Sequence, residues 1–146
     1  MTAPLVGEAF QHVPVPHLAS LTQPTGKTLV NFATIFYVQA ASFDTALTLL
    51  GQQVTLHVRP VSYAWDHGDG VVTTTTGPGA PYPRKDVVYR YQKATTTVRH
   101  HVSVTWAATF QVNGGPAADV PGTVTTTGPD TALRVVEATP VLVGDQ

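Results

Sequence analysis

Asp66 and Asp69 form the only close carboxylate pair set in a glycine-rich turn, Asp66-His67-Gly68-Asp69-Gly70. Such a pair could serve a hard cation such as Ca²⁺, which takes six or more oxygen ligands. Two carboxylates fall short of that shell unless Asp44, Asp86 or Asp130 and backbone carbonyls converge on them. The spacing also departs from the D-x-D-x-D-G order of a calcium loop. The plainer role is mechanical. Asp accepts hydrogen bonds from amides two residues on, and Gly reaches positive φ without steric cost. Paired-carboxylate glycoside hydrolysis has less support, because the only glutamates, Glu8 and Glu137, lie near the ends.

The six histidines raise the question of a metal. His100 and His101 are neighbours on a predicted strand and so point to opposite faces. His57 and His101 share the outward face, but no H-x-x-x-H or H-E-x-x-H spacing occurs. No metal or cofactor is therefore expected, and His100, beside Val98 and Val102, reads as a hydrogen-bonded core or edge residue. Ser20, Ser42, Ser62 and Ser103 sit in no G-x-S-x-G context. Gly68-Asp69-Gly70 lacks the helix and lysine of a phosphate loop. A Lys–Asn isopeptide staple would need a buried Lys27, Lys85 or Lys93 beside Asn31 or Asn113. No enzyme activity is expected. The alternative is a hydrolase using Asp66, Asp69 and a histidine.

Aromatic residues make better binding candidates. Tyr82, in the stretch Gly77-Pro78-Gly79-Ala80-Pro81-Tyr82-Pro83, is followed by Arg84 and Lys85. Tyr82, Arg84 and Lys85 form the expected partner-binding surface, with stacking and charge at one loop tip. Tyr89 and Tyr91 could extend a sugar- or peptide-stacking patch, or pack as an ordinary rim.

Strands must position these groups. Thr, Val, Pro and Gly dominate, a composition that disfavours long helices and favours strands with turns. Val61, Tyr63 and Trp65 alternate onto one face before the Asp–Gly turn, with Trp65 as core anchor. Val54, Leu56 and Val58 point inward before them, and Pro60 shifts the register or marks a sheet edge. Val98, His100, Val102, Val104 and Trp106 alternate on a long strand over residues 95–110 that bends at Ala107-Ala108. Further strands are expected over Leu29–Val38, Val71–Thr76, Thr123–Thr127, Leu133–Glu137 and Val141–Val143, and Thr45–Leu50 reads as a short helix after a Ser42 cap or, favoured by its threonines, as a strand. Ser42-Phe43-Asp44 reads as a turn, Val87–Tyr91 as the strand returning to pair after the Asp–Gly turn, and Asn113-Gly114-Gly115 as a tight turn. Pro4, Pro14, Pro16 and Pro24 make residues 1–27 an expected arm or linker, leaving 28–146 as a single domain. Roughly eight to ten short strands with regular turn signals predict an all-β sandwich. The recurrent threonine runs read as exposed strand faces, with O-glycosylation the lesser alternative.

The hexamer Trp65-Asp66-His67-Gly68-Asp69-Gly70 matches W-D-F-G-D-G, the motif of the PKD (polycystic kidney disease) domain. Gly51-Gln52-Gln53-Val54-Thr55-Leu56 is similar to that family's G-x-x-V-x-F strand, and Tyr91 with Val98–Val104 extends the likeness. The chain thus resembles an immunoglobulin-like PKD β-sandwich over about residues 45–106, with Trp65, Asp66, Gly68, Asp69 and Gly70 as its structural motif. Two departures stand out: His67 replaces an aromatic, and long segments flank the matched core. The resemblance implies a non-enzymatic extracellular or cell-surface module, of the kind found in bacterial (actinobacterial-type) surface or secreted proteins. Such modules act as spacers or make protein–protein or protein–carbohydrate contacts. A structural subunit pairing through its edge strands is a further alternative.

At 146 residues with 42% hydrophobic content, the chain suits one packed domain. Only 12% of residues are charged and the net charge is −1, which argues against nucleic acid and an electrostatic membrane anchor. The absence of cysteine excludes disulfides, thiol catalysis and zinc–thiolate sites. Residues 1–10 carry no basic start and long apolar run of a signal peptide. No apolar run reaches the roughly 18 residues of a transmembrane helix. If the protein is exported, the chain is expected to be a mature or trimmed form.

Overall fold

A computed structural model describes residues 1–138. The expected strand over Val141–Val143 lies outside these residues. The described fold is all-β apart from one short helix, α1 (Ala3–Phe10). The strands are β1 (Leu21–Gln23), β2 (Lys27–Leu29), β3 (Thr34–Tyr37), β4 (Phe43–Leu49), β5 (Gln52–Asp66), β6 (Val72–Thr75), β7 (Val88–Tyr89), β8 (Thr96–Val112), β9 (Ala118–Asp119), β10 (Val124–Thr127) and β11 (Thr131–Val136).

Two long strands carry the architecture. β5 and β8 pair antiparallel from Val54↔Val112 to Asp66↔His101. Their inward residues alternate on either side of one irregularity: Val54, Leu56 and Val58, then Tyr63 and Trp65 on β5, and Val98 through Phe110 on β8. Period-two alternation with one buried face fixes the register, because a one-residue slip would expose the whole set. Pro60 does not end β5. Pro60 pairs with Trp106 and Ser62 with Thr105, so Val61 is an extra, bulged residue that absorbs the proline's missing N–H.

β4 and β6 pair with successive halves of β5, and β9, β10 and β11 with successive parts of β8. β2 adds to β11 in parallel, completing an eight-stranded curled sheet. A second sheet, in the order β1-β3-β7, lies against its inner face. Phe36 of β3 makes the junction, with ring centroids 6.2 Å from Trp65, 5.3 Å from His100 and 6.5 Å from Tyr91.

Several expectations are corrected here. Residues 1–27 are not a free arm. Pro4 sits in the first turn of α1, where its absent N–H costs nothing, and Val6 and Phe10 are fully buried. Burying a phenylalanine is worth about 1.5–3 kcal/mol, enough to hold a helix too short to stand alone. The segment is stitched down by the Gln11 side chain donating to the Thr123 carbonyl and by Thr126 donating to the Pro16 carbonyl. Leu29–Val38 is not one strand, because the chain turns through Asn31 at φ 63° between β2 and β3. Ser42-Phe43-Asp44 is not a turn, since β4 already begins at Phe43. Val87–Tyr91 does not return to β5. β6 takes that place, and β7 joins β3 in the other sheet.

Candidate functional site

The Asp–Gly turn is built as its residue types dictate. An Asp66 carboxylate oxygen accepts from the Gly68 amide at 2.9 Å, and one of Asp69 accepts from the Val71 amide at 3.2 Å. Gly68 has φ 85°, and a Cβ there would meet the Arg99 backbone at 2.5 Å. A side chain is thus excluded both by conformation and by space. Tyr89 donates its hydroxyl to the second Asp69 oxygen, and Tyr91 donates to the His67 carbonyl at 2.7 Å. Burial and the Asp69 hydrogen bond push the Tyr89 phenol up to about 12, and burial raises Tyr91 likewise. Both therefore stay protonated donors. The two carboxylates most suited to chemistry are engaged in holding the turn.

His67 packs as a flat ring in the core. It has no exposed surface. Its ring lies parallel to Tyr89 with centroids 3.9 Å apart and meets Phe36 edge-on at 4.7 Å. Nε2 shares a hydrogen bond with the Thr73 hydroxyl at 2.9 Å, and Nδ1 has no partner among the described residues. Burial drives its pKa down to about 4, against an opposing pull from Asp69 and Asp66. The ring is a neutral, flat core residue. Trp65 is equally buried, with its indole N–H donated to Thr75.

The remaining histidines and acids scatter. His100 points into the core and bonds the Ser20 hydroxyl, and burial lowers its pKa. His101 faces out, 3.0 Å from Asp130 and 3.8 Å from Asp66. His57 lies 2.7 Å from both Asp44 and Gln111, and the hydrogen bonds to Gln111 and then Asp44 raise its pKa. Asp86 pairs with Arg84 at 2.7 Å. Asp44 and Asp86 are thus committed to separate partners, while Asp66 and Asp130 flank the same histidine, His101. No three His, Asp or Glu side chains among the described residues are grouped to hold a metal ion. Lys27, Lys85 and Lys93 are exposed, outside any isopeptide geometry.

The loop over residues 77–86 is anchored despite its composition. The Val38 amide donates to the Pro78 carbonyl, Gly79 bridges Tyr37, and the Tyr82 amide donates to the Gln23 side chain at 2.6 Å. Gly79, at φ 73°, packs directly on the Phe36 carbonyl. Tyr82 itself is 69% exposed. With Lys85, Gln23, Pro24, Ala33 and Ile35 it lines a shallow depression of about 390 Å³. The structure brings Tyr82 and Lys85 together, while Arg84 turns aside to clasp Asp86 through two hydrogen bonds.

Tyr89 and Tyr91 do not extend that patch. Tyr91 is buried, and both line a different cleft of about 470 Å³ beside the Asp–Gly turn, with Asp69, Lys93, Thr96 and Thr97. This cleft was not foreseen from the sequence. Its walls come from two turns and a strand start that only the closed fold juxtaposes. Comparison of the chain with protein-family models, curated proteins and solved structures gave no match.

Proposed function

We propose that the chain is a non-enzymatic recognition module, an immunoglobulin-like PKD-type β-sandwich acting outside the cell or on its surface. It would contact a protein or glycan partner through the Tyr82 loop. One observation carries this reading: a large aromatic is held out in solvent by a loop fastened to both β1 and β3. A pre-ordered aromatic with a neighbouring lysine loses little conformational entropy on binding, and function in β frameworks commonly sits on such loops. The engagement of Asp66 and Asp69 within their own turn supports the same reading over hydrolysis. The test is a binding screen against immobilised cell-wall polysaccharides, glycans and matrix proteins. A Tyr82→Ala/Lys85→Ala variant should lose tenfold or more in affinity for the captured ligand while melting with the wild type. Unchanged affinity would remove this loop from the site.

The second cleft favours a second reading. A carboxylate, an ammonium and two threonine hydroxyls around tyrosine rings suit a hydroxylated ligand such as a sugar unit. Lys93→Ala, rather than the Tyr82 variant, would then abolish glycan capture.

A further inference from the structure

β4 is the outermost strand of the large sheet, and its far edge makes no backbone hydrogen bond to any other described segment. It is seven residues long, Phe43-Asp44-Thr45-Ala46-Leu47-Thr48-Leu49. Exposed edges are ordinarily protected by lysine, proline or a bulge. β4 has none of these, and its pairing with β5 runs without a register shift. Its one charge is Asp44, already beside His57. Next to the edge, Thr45, Leu47, Thr48 and Leu49 border a mainly apolar depression of about 330 Å³ closed by Ala9, His12, Val13 and Pro14.

We infer that this edge pairs with the same edge of a second copy, antiparallel about a two-fold axis through Ala46, joining two large sheets into one. The sequence of β4 is self-complementary in that register. Opposed residues in antiparallel strands share a face. Only registers that oppose odd to odd and even to even positions keep the half-buried and exposed faces of both copies aligned. Of these, the register centred on Ala46 alone uses all seven residues. It sets Phe43 against Leu49 and Thr45 against Leu47 on the inner face. On the outer face it sets Asp44 against Thr48, so the two carboxylates never oppose each other. Ala46, exposed and small, meets its own copy at the axis. Leu47 and Phe43 of the second copy then cover the depression beside Pro14. An isologous contact of this kind closes at two copies, leaving no free β4 edge to propagate. The inference rests on the edge, not on the Tyr82 loop, and stands or falls separately from the proposed function.

The chain lacks cysteine, so a single introduced thiol reports the register cleanly. Directly opposed residues have Cα atoms about 4.5–5.5 Å apart, within the range a disulfide spans. Ala46→Cys should form a covalent dimer with diamide as oxidant, whereas Thr48→Cys, facing Asp44, should form no disulfide across the pair. Sedimentation equilibrium of the wild type should give about 31 kDa, twice the 15.5 kDa chain. Ala46→Lys and Ala46→Glu should each sediment as monomers of unchanged circular dichroism, and their equimolar mixture should recover the dimer. A wild type that stays monomeric at hundreds of micromolar, equal cross-linking of the two cysteine variants, or a dimeric Ala46→Lys protein would each overturn the inference. So would capture of an extended peptide of other sequence by a monomeric wild type.

Discussion

Acid should loosen this fold through His67, and the size of the effect follows from its surroundings. In the unfolded chain an imidazole titrates near its ordinary 6.5, and in the fold burial lowers it to about 4. Between these values the unfolded state takes up a proton that the native state refuses. Stability contributed by the neutral ring is therefore complete above 6.5 and is lost as the pH falls toward 4. The shift corresponds to about 3 kcal/mol in full, and to about 2 kcal/mol between pH 7 and pH 4.5. His100, shifted in the same direction by burial, adds its own contribution, so the comparison must be internal. His67→Phe keeps a flat ring against Tyr89 and Phe36 and gives up only the Thr73 hydrogen bond, worth about 1 kcal/mol. Urea melts of wild type and variant at the two pH values isolate the term. The wild type should lose about 2 kcal/mol more than His67→Phe on acidification. Parallel losses in the two proteins would refute the assignment of His67 as a buried neutral ring.

Three further outcomes test the frame. Trp65→Ala should cost about 3–5 kcal/mol in denaturant melts, because the ring is fully buried between Tyr63 and Phe36. A loss below about 1 kcal/mol would remove this strand from the core. Gly68→Ala should lower the melting temperature far more than an alanine at exposed Gly114, whose own φ is positive but whose surroundings are open. Equal effects would mean that the approach to Arg99 is not tight. EDTA should leave the melting temperature unchanged and added Ca²⁺ should not raise it. A rise of several degrees with Ca²⁺, abolished in Asp69→Ala, would restore a cation site at the turn.

What was legible in the sequence follows from the range over which each signal acts. The inward set of β5 and β8 was readable because alternation with one buried face is a local pattern. The Asp–Gly turn was readable because Asp and Gly act on amides two residues away. Helix α1 was not, since the prolines spread over residues 1–27 suggest an extended arm and the helix's stability comes from Val6 and Phe10 meeting a distant core. The exchange of β6 and β7 was hidden for a related reason. Strands of four and two residues carry too little pattern to name their partners. Of the candidate binding residues, exposure of Tyr82 follows from its Pro- and Gly-rich setting. The Arg84–Asp86 clasp and the cleft at Lys93 arise only once the loops are placed.

The most direct measurement of the central claim is amide chemical-shift mapping during titration with the strongest ligand from the binding screen. Shifts centred on residues 78–86, with Gln23 and Ile35, are predicted, and the ligand should be recovered intact. Shifts centred instead on Asp66, His101 and Asp130, accompanied by cleavage of the ligand, would contradict the account and identify a hydrolase.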